Sequence, residues 1–154
     1  MNAEQIPKSY QTFEDLEAYQ VAREFRKAMY RVAKQFPDTG KFGLVSQIRR
    51  AAVSLTNNIA EGHGRYHFPD QLKFCLQARG SLEELLDDIN VGEDEQYLSP
   101  AEADQLKQQG WRVHKILNGY IRFLRTRLAE ASPRVREHIG DYNLDENFQI
   151  ERSA

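Results

Sequence analysis

Apolar residues recur at alternating steps of three and four in four stretches of the chain, separated by short breaks. In the first stretch Ala22, Phe25, Met29, Val32 and Phe36 keep that spacing, and Thr12 with Asp15 forms a capping-box pattern that uses Asp in place of Glu. Pro37, Gly40 and Gly43 interrupt it. The second stretch repeats the period at Val45, Ile48, Ala52, Leu55 and Ile59, with Gly62 placed to end the helix in a left-handed conformation. The third carries it at Leu72, Cys75, Arg79, Leu82, Leu86 and Ile89, opened by Pro69 and closed by Gly92. The fourth opens on Ser99-Pro100-Ala101-Glu102, a capping box with proline at the first helical position. It continues through Ala103, Leu106, Gly110, Val113, Leu117, Tyr120 and Leu124. No stretch alternates with period two for long enough to make a sheet. The pattern predicts an all-α, antiparallel up-down-up-down four-helix bundle over residues 1–128, with helices near 12–36, 44–61, 69–91 and 99–128. Residues 129–154 form a polar C-terminal tail, in which Ile139, Tyr142, Leu144, Phe148 and Ile150 are apolar enough to predict partial order.

Composition narrows the class. The chain has 154 residues, with 21 basic against 23 acidic side chains and a net charge of −2. That length suits one domain, and 40% hydrophobic with 29% charged residues is a globular profile. The balance excludes a strongly basic nucleic-acid binder and a polyanion mimic. The single Cys75 excludes an intramolecular disulfide framework and, lying on the apolar face, reads as a packed thiol. No apolar leader precedes the first helix, and the longest uncharged run, Ala51 to Ala60, is too short for a membrane span. The expectation is a cytoplasmic protein with no membrane partner.

Charge is unevenly spread. Residues 100–128 hold six basic and two acidic groups, whereas 63–95 and the tail are net acidic. On the fourth helix Arg112, Lys115 and Arg122 share a stripe, with Arg125 beside them. This stripe is either a solvated face or a phosphate-contacting strip, which ring symmetry would multiply. On the second helix Gln47, Arg50, Ser54, Asn57, Asn58 and Glu61 fall within about a third of the circumference at 100° per residue. Asn and Ser are poor choices for an exposed helix interior, and Glu61 opposes the helix dipole at its end, which points to partners for this stripe. Arg79, at a core position by its heptad phase, requires a carboxylate; Glu83 one turn later and Glu61 across the turn are the candidates, and Glu61 is the sharper expectation.

Gln47-Ile48-Arg49-Arg50-Ala51-Ala52-Val53-Ser54, followed by Asn58-Ile59-Ala60-Glu61-Gly62, resembles the motif of the four-helix-bundle proteins encoded in intervening sequences of 23S ribosomal RNA genes, also called the S23 ribosomal protein family. Phe13-Glu14-Asp15-Leu16 and Ala78-Arg79-Gly80-Ser81-Leu82-Glu83-Glu84-Leu85 match as well, in order, over roughly Thr12 to Leu128. The resemblance implies a small bundle that assembles as a homopentameric ring. It also implies kinship with the accessory proteins of diversity-generating retroelements, which bind nucleic acid and a reverse transcriptase and are strongly basic, unlike this chain.

Enzyme motifs are incomplete. His114 has no Glu-x-x-His pairing from facing helices for a di-iron site. Arg134 and His138 are too closely spaced for a helical ribonuclease motif, and Gly40-Lys41 lacks the rest of a P-loop. His63, Arg65, Tyr66 and His67 cluster in the second loop, either as a contact for phosphate or a neighbour or as ordinary surface residues. No catalytic residue, metal or cofactor is expected. With the closed homo-oligomer that the resemblance implies, a pentamer first, Trp111, Tyr30 and the small residues of the second helix are the expected interface residues. Nucleic-acid candidates are Arg112, Lys115, Arg122, Arg125, Arg49 and Arg50, with RNA or DNA as the partner. The alternative is a purely protein-binding or structural oligomer.

Overall fold

A computed structural model describes residues 12–38 and 43–131. It contains four helices: α1 (Glu17–Ala33), α2 (Leu44–His63), α3 (Phe68–Asp94) and α4 (Pro100–Glu130), with no strand among the described residues. α1 packs on α2 and α4, and α3 packs on the same two helices from the other side. Cross-helix pairs on α3 run in opposite directions. Ser81 meets Ser54 of α2 while Glu84 faces Arg50, and Arg79, Glu83 and Glu93 meet Asn118, His114 and Lys107 of α4. The all-α bundle read from the three-and-four spacing is therefore present.

The core is made largely of the stripes the spacing marked. On α4, however, Ile121 is buried in place of the expected Tyr120, which with Leu106 stays half-buried at the edge, and Leu85 of α3 joins the core unmarked. Phe25 and Met29 of α1, Ile48, Leu55 and Ile59 of α2, Leu82, Leu85 and Ile89 of α3, and Val113, Leu117, Ile121 and Leu124 of α4 are all below 2% exposed. Burying each such side chain contributes roughly 1.5–3 kcal/mol, which drives helices too short or too polar to persist alone into one bundle. In α3 the buried residue is Ala78, not Arg79, which is half-buried at the helix edge. The apolar register there steps Cys75, Ala78, Leu82, so the core needs no guanidinium.

Helix ends follow local chemistry, with four departures from the sequence reading. At α4 the Ser99 hydroxyl accepts from the Glu102 N–H (3.2 Å) and the Ser99 N–H donates to the Glu102 carboxylate (2.9 Å), as the motif requires. Those bonds hold the Glu102 carboxyl below its ordinary pKa. The Thr12 N–H likewise donates to Asp15 (2.8 Å), but this box caps only a 3-10 turn, Phe13–Asp15; Leu16 is extended and α1 begins at Glu17. Gly62 does not end α2 in a left-handed conformation. It lies inside the helix, and Gly64 follows with a right-handed φ of −75°. Gly92 does not close α3 either. The helix runs to Asp94, and Gln96 takes the left-handed position (φ 62°), with the Tyr97 N–H bonded to the Gly92 carbonyl and the Gln96 N–H to that of Glu93. α4 extends two residues past Leu128, to Glu130. The expectation of partial order in the tail, and Gly40, lie outside the described residues.

Gly62 has a packing role. A methyl group there would lie 2.9 Å from Cβ of Phe74 and 3.2 Å from the Gln71 carbonyl oxygen, so the α2 and α3 backbones touch at this level. Gly80 on α3 has open space around it. Gly62→Ala is expected to destabilise the protein by about 1–3 kcal/mol despite alanine's better helix propensity, because α3 must move away. Gly80→Ala is expected to stabilise it by about 0.5–1 kcal/mol, since nothing opposes the propensity gain. Urea unfolding of both variants checks the pair.

Candidate nucleic-acid interface

α4 is the longest helix and carries the basic stripe on its outer side. Arg112, Lys115 and Arg122 are exposed, and none has a carboxylate within ion-pair distance among the described residues. Some other surface cations are paired: Arg65 with Glu61 (2.7 Å), Lys27 with Glu24 (2.9 Å) and Lys107 with Glu93 (3.1 Å). Arg23, Arg31, Lys34, Arg49 and Lys73 are exposed with no carboxylate within ion-pair distance among the described residues. Arg125 is half-buried, so the open strip consists of three cations, where the spacing suggested four.

Beside the strip, α3 and α4 are joined by a polar chain that the sequence did not reveal. Arg79 donates to Asn118 Oδ1 (3.1 Å), the Asn118 amide meets His114 Nδ1 (3.1 Å), and His114 Nε2 meets Glu83 Oε1 (2.9 Å). Because Arg79 only donates, Asn118 must present its oxygen to Arg79 and its NH₂ to His114. That makes Nδ1 an acceptor and assigns the ring proton to Nε2, facing Glu83. The expected Glu61–Arg79 ion pair is absent: Glu61 binds Arg65 one turn later on its own helix end, and Arg79 is satisfied across the α3–α4 seam. The local alternative, Glu83, is also not its partner. His114 in turn meets Trp111 edge to face, with centroids 5.3 Å apart at 71°. Trp111 is 52% exposed.

The α2 stripe divides. Gln47, Arg49, Arg50, Asn57 and Glu61 are exposed, with Arg50 3.7 Å from Glu84. Ser54 and Asn58 turn into the α2–α3 seam, where Ser81 donates to Ser54 Oγ (2.9 Å) and Asn58 donates to the Ser54 carbonyl (2.9 Å). The small residues of α2 therefore serve packing within the subunit: Ala51 and Ala52 are buried in the core rather than offered to a neighbour. Tyr30, the other aromatic expected at an interface, is half-buried against that core. Since α2 packs on α1 and α3 and not on α4, Arg49 and Arg50 do not extend the α4 strip within one subunit.

Compared with protein families, residues 14–119 match the model described as 23S rRNA-intervening sequence protein. The chain belongs to this family. Among curated proteins, none matches it significantly. The 23S rRNA-intervening sequence match ends at Gly119, so Arg112, Lys115, Trp111 and the His114–Asn118 pair lie inside the shared region while Arg122 and Arg125 lie beyond it. The family description names no reaction. Among the described residues no three His, Cys, Asp or Glu side chains gather as a metal site, and no helix is long and apolar enough to cross a membrane.

Two buried titratable groups complete the picture. Burial pushes the Cys75 thiol up to about 12, the state of a packed thiol. Asp88 on α3 is 5% exposed with Oδ2 unbonded. Burial, then the nearby Glu84 and Asp87 carboxylates, push it up to about 6 against the opposing pull of Arg50. In the second loop Arg65 lies over the Phe74 ring (4.8 Å) and Tyr66 is 92% exposed beside His67. A shallow cavity of about 390 Å³ at that end is lined by Tyr66, His67, Phe68, Pro69, Leu128 and Ala131.

Because the Asp88 pKa rises from 3.8 to about 6 on folding, its favourable contribution is complete below about pH 4 and lost as pH climbs through 6. Asp88→Asn is therefore expected to exceed the parent by about 1–3 kcal/mol near pH 8, the gap closing below pH 4 in a pH series of denaturation curves. Asn118→Leu strands Arg79 and His114 together and is expected to cost about 1–3 kcal/mol, whereas Glu61→Gln, which loses one exposed pair, stays within about 0.5 kcal/mol. Chemical denaturation separates the two.

Proposed function

We propose that this 23S rRNA-intervening sequence protein is a non-enzymatic, cytoplasmic scaffold that assembles as a closed homo-oligomer, a pentamer first, and contacts nucleic acid through α4. The observation that carries the reading is the set Arg112, Lys115 and Arg122, exposed together on α4 with no carboxylate within ion-pair distance among the described residues. Three cations bind phosphate weakly. A ring repeats the strip once per subunit, and counterion release then grows with the number of phosphates met. A net charge of −2 does not oppose this, because most acidic residues lie elsewhere on the chain and residues 100–128 hold six basic against two acidic groups. The competing reading, a purely protein-binding oligomer, is favoured by the exposed aromatics Trp111 and Phe123, since aromatic side chains are enriched at protein interfaces.

Binding of a structured ribosomal RNA fragment and of duplex DNA, followed across a salt series, decides between them. The nucleic-acid reading expects retention at low salt, a steep fall as salt rises, and a slope shallower by about 0.7–0.9 per contact removed in Lys115→Glu/Arg122→Glu. No retention at low salt leaves the protein-binding reading. Native mass measurement is expected to give five times the 17.9 kDa subunit.

A further inference from the structure

Resting on the reading of α4 as a phosphate strip, we propose that Trp111 is a base-stacking platform and that the ligand is single-stranded nucleic acid. The indole is 52% exposed and stands on the same side of α4 as two of the open cations, Lys115 and Arg122. At 100° per residue Lys115 lies about 40° from Trp111 around the helix and Arg122 about 20°. At 1.5 Å per residue they stand about 6 Å and about 16 Å further along the axis. An aromatic face followed by cations at such intervals is the arrangement by which unpaired bases stack while their backbone is neutralised. A duplex keeps its bases stacked on one another and presents only its backbone and groove edges, so an isolated indole among cations has nothing to stack on there.

The indole is also held. His114 meets it edge to face, and His114 is fixed on both nitrogens, by Glu83 at 2.9 Å and Asn118 at 3.1 Å, with Asn118 anchored in turn by Arg79. The chain of bonds across the α3–α4 seam holds the His114 ring against Trp111, so that stacking a base need not first order the indole. A second copy of the chain is the less favoured occupant. A contact between copies centred on Trp111 would have to bury or match Lys115 and Arg122 beside it, and charge is depleted at the core of protein interfaces.

Trp111 is the only tryptophan, so the intact protein reports on the site directly. Its emission is followed while oligouridylate, oligothymidylate and a duplex of matched length are added at low salt, and affinities are read separately from the anisotropy of labelled strands. The single strands are expected to quench the emission and the duplex to leave it unchanged. Trp111→Ala should lose roughly 5- to 150-fold in affinity for single strands, the range for one stacked base, while Trp111→Phe keeps most of it. Circular dichroism of both variants checks that the bundle is intact. Binding of single strands that is salt-sensitive, leaves the emission unchanged and is unaffected by Trp111→Ala overturns the stacking platform but leaves the phosphate strip standing. Absence of any binding at low salt overturns both. An emission already shielded from acrylamide in the free protein, with a smaller native mass for Trp111→Ala, assigns the indole to a contact between copies and overturns the proposal.

Discussion

At Gly62 the backbone of α2 comes against Phe74 so closely that a single methyl group would lie 2.9 Å from the Phe74 Cβ. The same seam continues through the Ser54–Ser81 bond. Small residues allow this approach, and the approach sets where α3 stands. With one flank fixed against α2, the other flank of α3 delivers Arg79, Glu83 and Glu93 to α4, where they meet Asn118, His114 and Lys107. The seam with α2 is tight and built from small side chains. The seam with α4 is polar and holds its partners by directed bonds. The orientation of Trp111 thus depends, through His114, on a contact made on the far side of α3.

Electrostatics divides the surface in a comparable way. Exposed ion pairs such as Arg65–Glu61 and Lys27–Glu24 add little to stability individually, but they cancel charge locally. What they leave uncancelled on α4 is a short basic strip, at a cost in stability too small to select against. Asp88 is a contrary case: a carboxyl enclosed in the α3 seam with one oxygen unbonded and its pKa raised to about 6 by burial. A fold optimised for stability alone would replace it. Nothing in the subunit explains why it is acidic.

The helices, their order and most of their apolar stripes were legible in the sequence, because amphipathic periodicity and capping are local: the Ser99–Glu102 box is formed by residues three apart. The family was legible for the same reason, since its motifs are contiguous. The helix ends were read less well. Gly62 and Gly92 carry the appearance of helix stops, yet both are interior glycines chosen for close packing, and Gln96 takes the left-handed turn instead. A glycine needed for space and a glycine needed for its backbone angle look alike until the neighbouring helix is in place.

Partners of polar residues were the least legible. Arg79 was rightly marked as requiring acceptors, but its heptad phase assigned it to the core and to Glu61, when a shift of one residue puts Ala78 inside and Arg79 on the α4 seam. The spacing of His114 and Asn118, one turn apart, signals a shared face and nothing about what lies opposite. By itself the sequence determined the helices, their caps, the apolar faces and the excess of positive charge on α4, all set by residues within two turns of one another. Only the tertiary structure decided which cations stay unpaired, which polar groups join across a seam and how Trp111 is held. Those depend on the rotation of one helix against the next, which side-chain packing fixes and no local pattern encodes.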